Sequence, residues 1–127
     1  MTPGTRLSGT LHDGKNEVQV NLALIIFEED GSHIAYCPAL ELSGYGYTEE
    51  EAKKSFETSL SEFFRYLMNK KTFEKEFIRL GWTIKKKHDK IMIPPSMTEL
   101  LNGNENFSRI FNNFPFKKID ERIALPA

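Results

Sequence analysis

The sequence predicts an α+β domain: a three-stranded antiparallel meander, one long amphipathic helix and a further strand. Three observations carry that prediction. A β-branched, apolar run, "EVQVNLALIIFEE" (17–29), leads directly into Asp30-Gly31, the strongest short-range hairpin signal. A pair of glycines, Gly44 and Gly46, closes the segment that follows. Residues 48–70, "TEEEAKKSFETSLSEFFRYLMNK", then switch from alternating to helical spacing of apolar side chains.

Taken in order, residues 1–16 are polar and hold Gly4, Gly9 and Gly14, so they are expected to form a flexible N-terminal arm. The run 17–29 is the first strand, apolar on both faces at "LALIIF". "HIAYC" is the returning strand, ended by Pro38, which has no N–H for a ladder. "ALELSGYGY" alternates Leu40 and Leu42 with Glu41 and Ser43, as a half-buried third strand does.

Thr48 and Glu51 make the pair T-x-x-E. The threonine hydroxyl is expected to accept from the Glu51 N–H, and the Glu51 carboxylate to reach back to the Thr48 N–H. Glu49, Glu50 and Glu51 suit the positive end of a helix. Ala52, Phe56, Leu60, Phe63, Phe64 and Leu67 then form one apolar stripe. "TFEKEFIRL" reads as a shorter helix, with Gly81 as a left-handed cap. "WTIKKK" and "KIMI" are either a hairpin around "HD" or a strand and a loop. Residues 17–93 thus form the main domain.

The remaining segment, 94–127, is expected to be a short helical extension packed on the core or on a second subunit. Ser96 and Glu99 form another capping pair ahead of Asn102-Gly103, and Phe107, Ile110, Phe111 and Phe114 stand at helical spacing.

With 127 residues, 39% hydrophobic and 28% charged, the chain fits one ordinary domain able to bury a core without disulfides. Cys37 is the single cysteine, which fits a reducing compartment. The first residues hold no apolar run of signal-peptide type, and "LALIIF" is too short to span a bilayer. A cytoplasmic address is expected.

The net charge of −1 hides an asymmetry. Residues 28–57 carry eight acids against Lys53 and Lys54, net −6; residues 65–90 carry nine bases against Glu74, Glu76 and Asp89, net +6. Such blocks either steer charged partners or are two solvated faces.

The glycine pair is half of a phosphate-binding signature, but the third glycine position is Glu49, followed by two more glutamates. Carboxylates there repel phosphate, so the glycines serve the backbone instead. His12, His33 and His88 lack metal-site spacing. Nothing places a base beside Cys37, which is expected to be a half-buried thiol. No catalytic residue, metal ligand or cofactor site is assigned, and no enzyme activity is expected.

The order of these signals resembles the HicB antitoxin family. The matching stretch is "LIIFEEDGSHIAYCPALELSGYGYTEEEA", and the likeness extends over roughly residues 18–93. It implies a truncated ribonuclease-H-like fold without nuclease activity, since "VNLALIIF" carries no acid to hold a catalytic metal. It implies a role: binding and masking a small HicA-like toxin that cleaves RNA. Many such proteins carry a C-terminal DNA-binding segment for operator DNA. Here residues 95–127 are net neutral, four bases against four acids, which speaks against autonomous DNA binding.

A basic, RNA-binding toxin calls for an acidic face. Charge and expected exposure select Glu28, Glu29, Asp30, Glu49 and Glu50. The alternatives are an orphan HicB-like interaction module, or a nucleic-acid-binding or transcription-regulating domain that uses Lys85, Lys86, Lys87 and Lys90. Such a lysine-rich strand otherwise reads as an edge guarded against aggregation. A homo-oligomer, dimer or higher, is expected, because a small sheet leaves edges to cover.

Overall fold

Strand β2 (Glu17–Glu29) organises the molecule. Its hairpin partner β3 (Ser32–Cys37) returns through a two-residue turn. Asp30 and Gly31 both have positive φ, 52° and 79°, the type I′ geometry that matches strand twist. β4 (Leu42–Gly46) pairs with β3 and completes the meander. It starts later than the alternation predicts. Residues 38–41 are a turn in which the Leu40 N–H donates to the Cys37 carbonyl, and Glu41 sits at φ 55°.

The computed structural model describes residues 9–12, 17–67, 70–86 and 90–126. Within the expected N-terminal arm, Gly9–His12 is a strand, β1. It pairs with the start of β2 and with β6 (Lys90–Ile93), which forms a hairpin with β5 (Thr83–Lys86). The rest of the arm lies outside the described residues, as do Lys87, His88 and Asp89.

Helix α1 (Glu49–Tyr66) follows β4. Thr48 caps it as expected, its hydroxyl accepting from the Glu51 N–H at 3.1 Å. The Glu51 carboxylate, however, accepts from the Tyr47 N–H at 2.8 Å rather than from that of Thr48. Ala52, Phe56 and Leu67 are buried, and Leu60, Phe63 and Phe64 pack partly against the core.

Helix α2 (Lys70–Arg79) ends as Gly81 predicts, at φ 96°. The Gly81 N–H donates to the Ile78 carbonyl and the Trp82 N–H to that of Phe77, both at 3.0 Å. That double closure is a Schellman motif. Phe73 stacks on Phe77 at 4.6 Å, and Trp82 meets the Phe77 ring edge-on at 4.9 Å.

The C-terminal segment differs most from expectation. Helices α3 (Met97–Gly103) and α4 (Glu105–Asn113) are present, and the Ser96–Glu99 capping box is complete. After them comes β7 (Phe116–Pro126), an eleven-residue strand. It pairs with β2 along Glu17–Phe27. The extension is therefore not merely helical: it supplies a strand of the main sheet, in the order β4-β3-β2-β7. Its alternation is masked by "KKIDER", where charges stand at nearly every position.

The register separates two faces. Ile26, Ala35 and Gly44 lie side by side on the face that meets α1. Ile25 and Tyr36 lie on the other, where Phe107 of α4 packs. No helix among the described residues is long and apolar enough to cross a membrane.

Candidate functional site

The backbone around the glycine pair sets the position of α1. A Cβ on Gly44 would stand 2.1 Å from the Phe56 nitrogen and 2.4 Å from the Ala52 carbonyl oxygen. On Gly46 it would stand 2.4 Å from the Glu51 Cβ. Neither glycine has positive φ. Their role is close approach of strand and helix rather than an unusual turn. Two side-chain ties add to it: Ser55 Oγ accepts from the Tyr45 N–H at 3.1 Å, and Ser59 Oγ donates to the Ser43 carbonyl at 3.0 Å.

This junction throws side chains outward. Tyr45 is 59% and Tyr47 85% exposed, and Glu50 is exposed beside them in sequence. Glu49, in the first turn of α1, accepts from Lys117 at 2.8 Å and lies 3.6 Å from Lys53. The Lys117 ammonium holds the Glu49 carboxyl below the usual carboxylate range.

The five acids selected from the sequence do not form one face. Glu28 and Glu49 line a common hollow with His33, Phe116 and Lys117. Glu28 is 3.4 Å from His33 Nε2, its cross-strand neighbour. Glu29, one residue on, points to the opposite face of the sheet and pairs with Arg109 of α4 at 3.5 Å. Asp30 is at the hairpin tip and Glu50 on the helix surface. A one-residue step along a strand reverses direction, so sequence neighbours in the acidic block were divided between faces.

The lysines are divided too. Lys85 is exposed, and Lys86 sits opposite Lys90 in the ladder. The Lys90 side chain is only 12% exposed, 3.5 Å from Glu74 and over the Phe73 ring. It is committed within the fold rather than presented to a phosphate.

Sequence reasoning did not single out a polar cluster under the 38–41 turn. The Tyr36 hydroxyl donates to Glu41 Oε1 at 2.6 Å, and Asn104 Nδ2 donates to the same oxygen at 2.6 Å. Asn106 Nδ2 adds a contact of 3.3 Å to Glu41 Oε2. Burial, then the Glu41 carboxylate, push the Tyr36 phenol above its ordinary value. It remains a proton donor and ties the meander to α4. The one available signal was Asn104 ahead of a helical pattern, and Asn104 does cap α4 by accepting from the Phe107 N–H at 3.0 Å.

Cys37 is fully buried rather than half-buried, and burial pushes its thiol up to about 12. It is an inert core side chain at neutral pH. Among the described residues, no group of His, Cys, Asp and Glu is placed to hold a metal ion. Comparison with known protein families, with curated protein sequences and with solved structures finds no match to this chain.

Proposed function

We propose that this chain is a HicB-like protein-binding module that masks a small, basic, HicA-like RNA-cleaving toxin. The observation that carries the proposal is the strand-to-helix junction. Tyr45 and Tyr47 are held open to solvent, and Glu50 is exposed three residues further on, on a backbone fixed by the Gly44 and Gly46 contacts. Exposed tyrosines supply contact area at little entropic cost, and the acids supply attraction to a basic surface. The order of elements supports the HicB-like part of the proposal. A β2-β3-β4 meander, an Asp-Gly turn and a Thr48-capped helix follow one another in the resemblance's sequence. On the face of β2 that carries Ile26, Leu22 and Leu24 are buried with it.

Masking acts by occupying the toxin's RNA-binding surface, with no chemical step on this chain. Association is fast at low ionic strength and slows as salt rises, because rim charges act mainly on encounter. The test is co-expression with the product of an adjacent short, basic reading frame, followed by co-purification and an RNA-cleavage assay. The parent is expected to co-elute and block cleavage. Tyr47→Ala combined with Glu50→Lys is expected to weaken inhibition by about tenfold or more while leaving the melting temperature unchanged. A neighbour that cleaves RNA undisturbed by the parent protein sinks the proposal.

A further inference from the structure

Strand β7 uses one edge completely, pairing with β2 from Phe116 to Pro126. Among the described residues, no strand pairs with its other edge. A long open edge offers a row of N–H and C=O groups to any incoming strand. The side chains along it decide which strand that is.

The central sequence is Lys117-Lys118-Ile119-Asp120-Glu121. Read outward from Ile119, every base on one side has an acid at the same distance on the other. We propose that a second copy of this chain occupies the edge. The two β7 strands lie antiparallel about a two-fold axis between their Ile119 residues.

In that register Lys118 of each copy faces Asp120 of the other, and Lys117 faces Glu121. All four charge pairs are opposite in sign. The faces also agree. Lys117, Ile119 and Glu121 align with Ile26, Leu24 and Leu22 of β2 and share the α1 side; Lys118 and Asp120 share the α4 side. An axis perpendicular to the sheet preserves that separation, because opposite residues of an antiparallel pair point the same way.

Neighbouring registers are blocked. Centring on residue 117, 118, 120, 121 or 122 sets that residue against its own copy, and each of these is charged. Lysines on an edge strand usually deter pairing of every kind. Here the mirrored acids restrict the deterrence to the wrong registers.

The side chains involved are accessible. Lys118 is 46% and Asp120 52% exposed, and they already meet at 3.2 Å within one chain. Lys117, 57% exposed, would stand between Glu49 of its own chain and Glu121 of the second. The dimer joins two β4-β3-β2-β7 sheets edge to edge. Its test uses Lys118 and Asp120, which lie outside the Tyr45 to Glu50 junction.

Sedimentation equilibrium of the full chain at micromolar concentration is expected to give twice 14.7 kDa. Lys118→Glu alone and Asp120→Lys alone each create two like-charge contacts per dimer. Each is expected to raise the dissociation constant by about tenfold or more. Mixing these two single variants restores opposite charges at both positions and is expected to recover a heterodimer, which also shows that both chains are folded. The double variant is expected to dimerise like the parent. A parent of 14.7 kDa, single variants that dimerise as the parent does, or a mixture that stays monomeric would each overturn the proposal.

Discussion

The two faces of the sheet are closed by opposite means. On one, α1 approaches so near that Gly44 and Gly46 have no room for a Cβ. On the other, α4 is held off by rings. Phe107 lies 6.3 Å from Tyr36, Phe114 5.2 Å from Phe27, and Phe111 5.4 Å from Phe116. The first interface is set by backbone, the second by side-chain volume. A backbone-set interface tolerates no addition, whereas a volume-set interface tolerates no deletion, since close-packed interiors relax only partly in either direction.

Substitutions in opposite senses test that contrast. The largest effect is expected from Phe107→Ala, which removes a fully buried ring from under Tyr36. It should destabilise by about 4 kcal/mol in denaturant unfolding. Gly44→Ala adds a single methyl group yet should cost about 3 kcal/mol, because helix backbone must move to admit it. A Gly44→Ala protein as stable as the parent would mean that α1 is not seated as described. Gly103→Ala is the internal control. Its added Cβ meets nothing within 4 Å, and its unfolding midpoint should stay close to the parent's.

Smaller effects sharpen the same contrast at the start of α1. Thr48→Ala removes the acceptor for the Glu51 N–H and should cost about 1 kcal/mol with the fold retained. The Glu49–Lys117 pair ties that helix start to β7. The folded carboxyl is held below its ordinary range. Its contribution is therefore present above the unfolded-state value and is lost as pH falls through the folded one. Lys117→Met should lower the melting temperature slightly at neutral pH, and the gap from the parent should close in acid. A gap that persists unchanged in acid would assign the effect to packing instead.

Some elements were legible because their signals are local. The Asp30-Gly31 turn needs only two residues that accept positive φ. The caps at Thr48, Ser96 and Gly81 need only a hydroxyl or a missing Cβ at the right offset. The candidate acids were harder, because charge in a sequence window carries no direction. Glu28 and Glu29 are adjacent, yet one faces the Glu49 hollow and the other Arg109 across the sheet.

The sequence by itself determined the α+β class, the β2-β3 hairpin, and the long helix with its Thr48 N-cap, because each follows from short-range backbone preference and periodic apolar spacing. Only the tertiary structure decided where residues 116–126 go. "FKKIDERIALP" carries five charges in a row broken only by Ile119, too polar to announce a strand on its own. It becomes one because β2 supplies a full ladder of hydrogen-bond partners, from Glu17 to Phe27. Non-local pairing also placed Asn104 against Tyr36 and Glu41, residues far apart in the chain. Such contacts depend on which segments meet, and local preference holds no record of that.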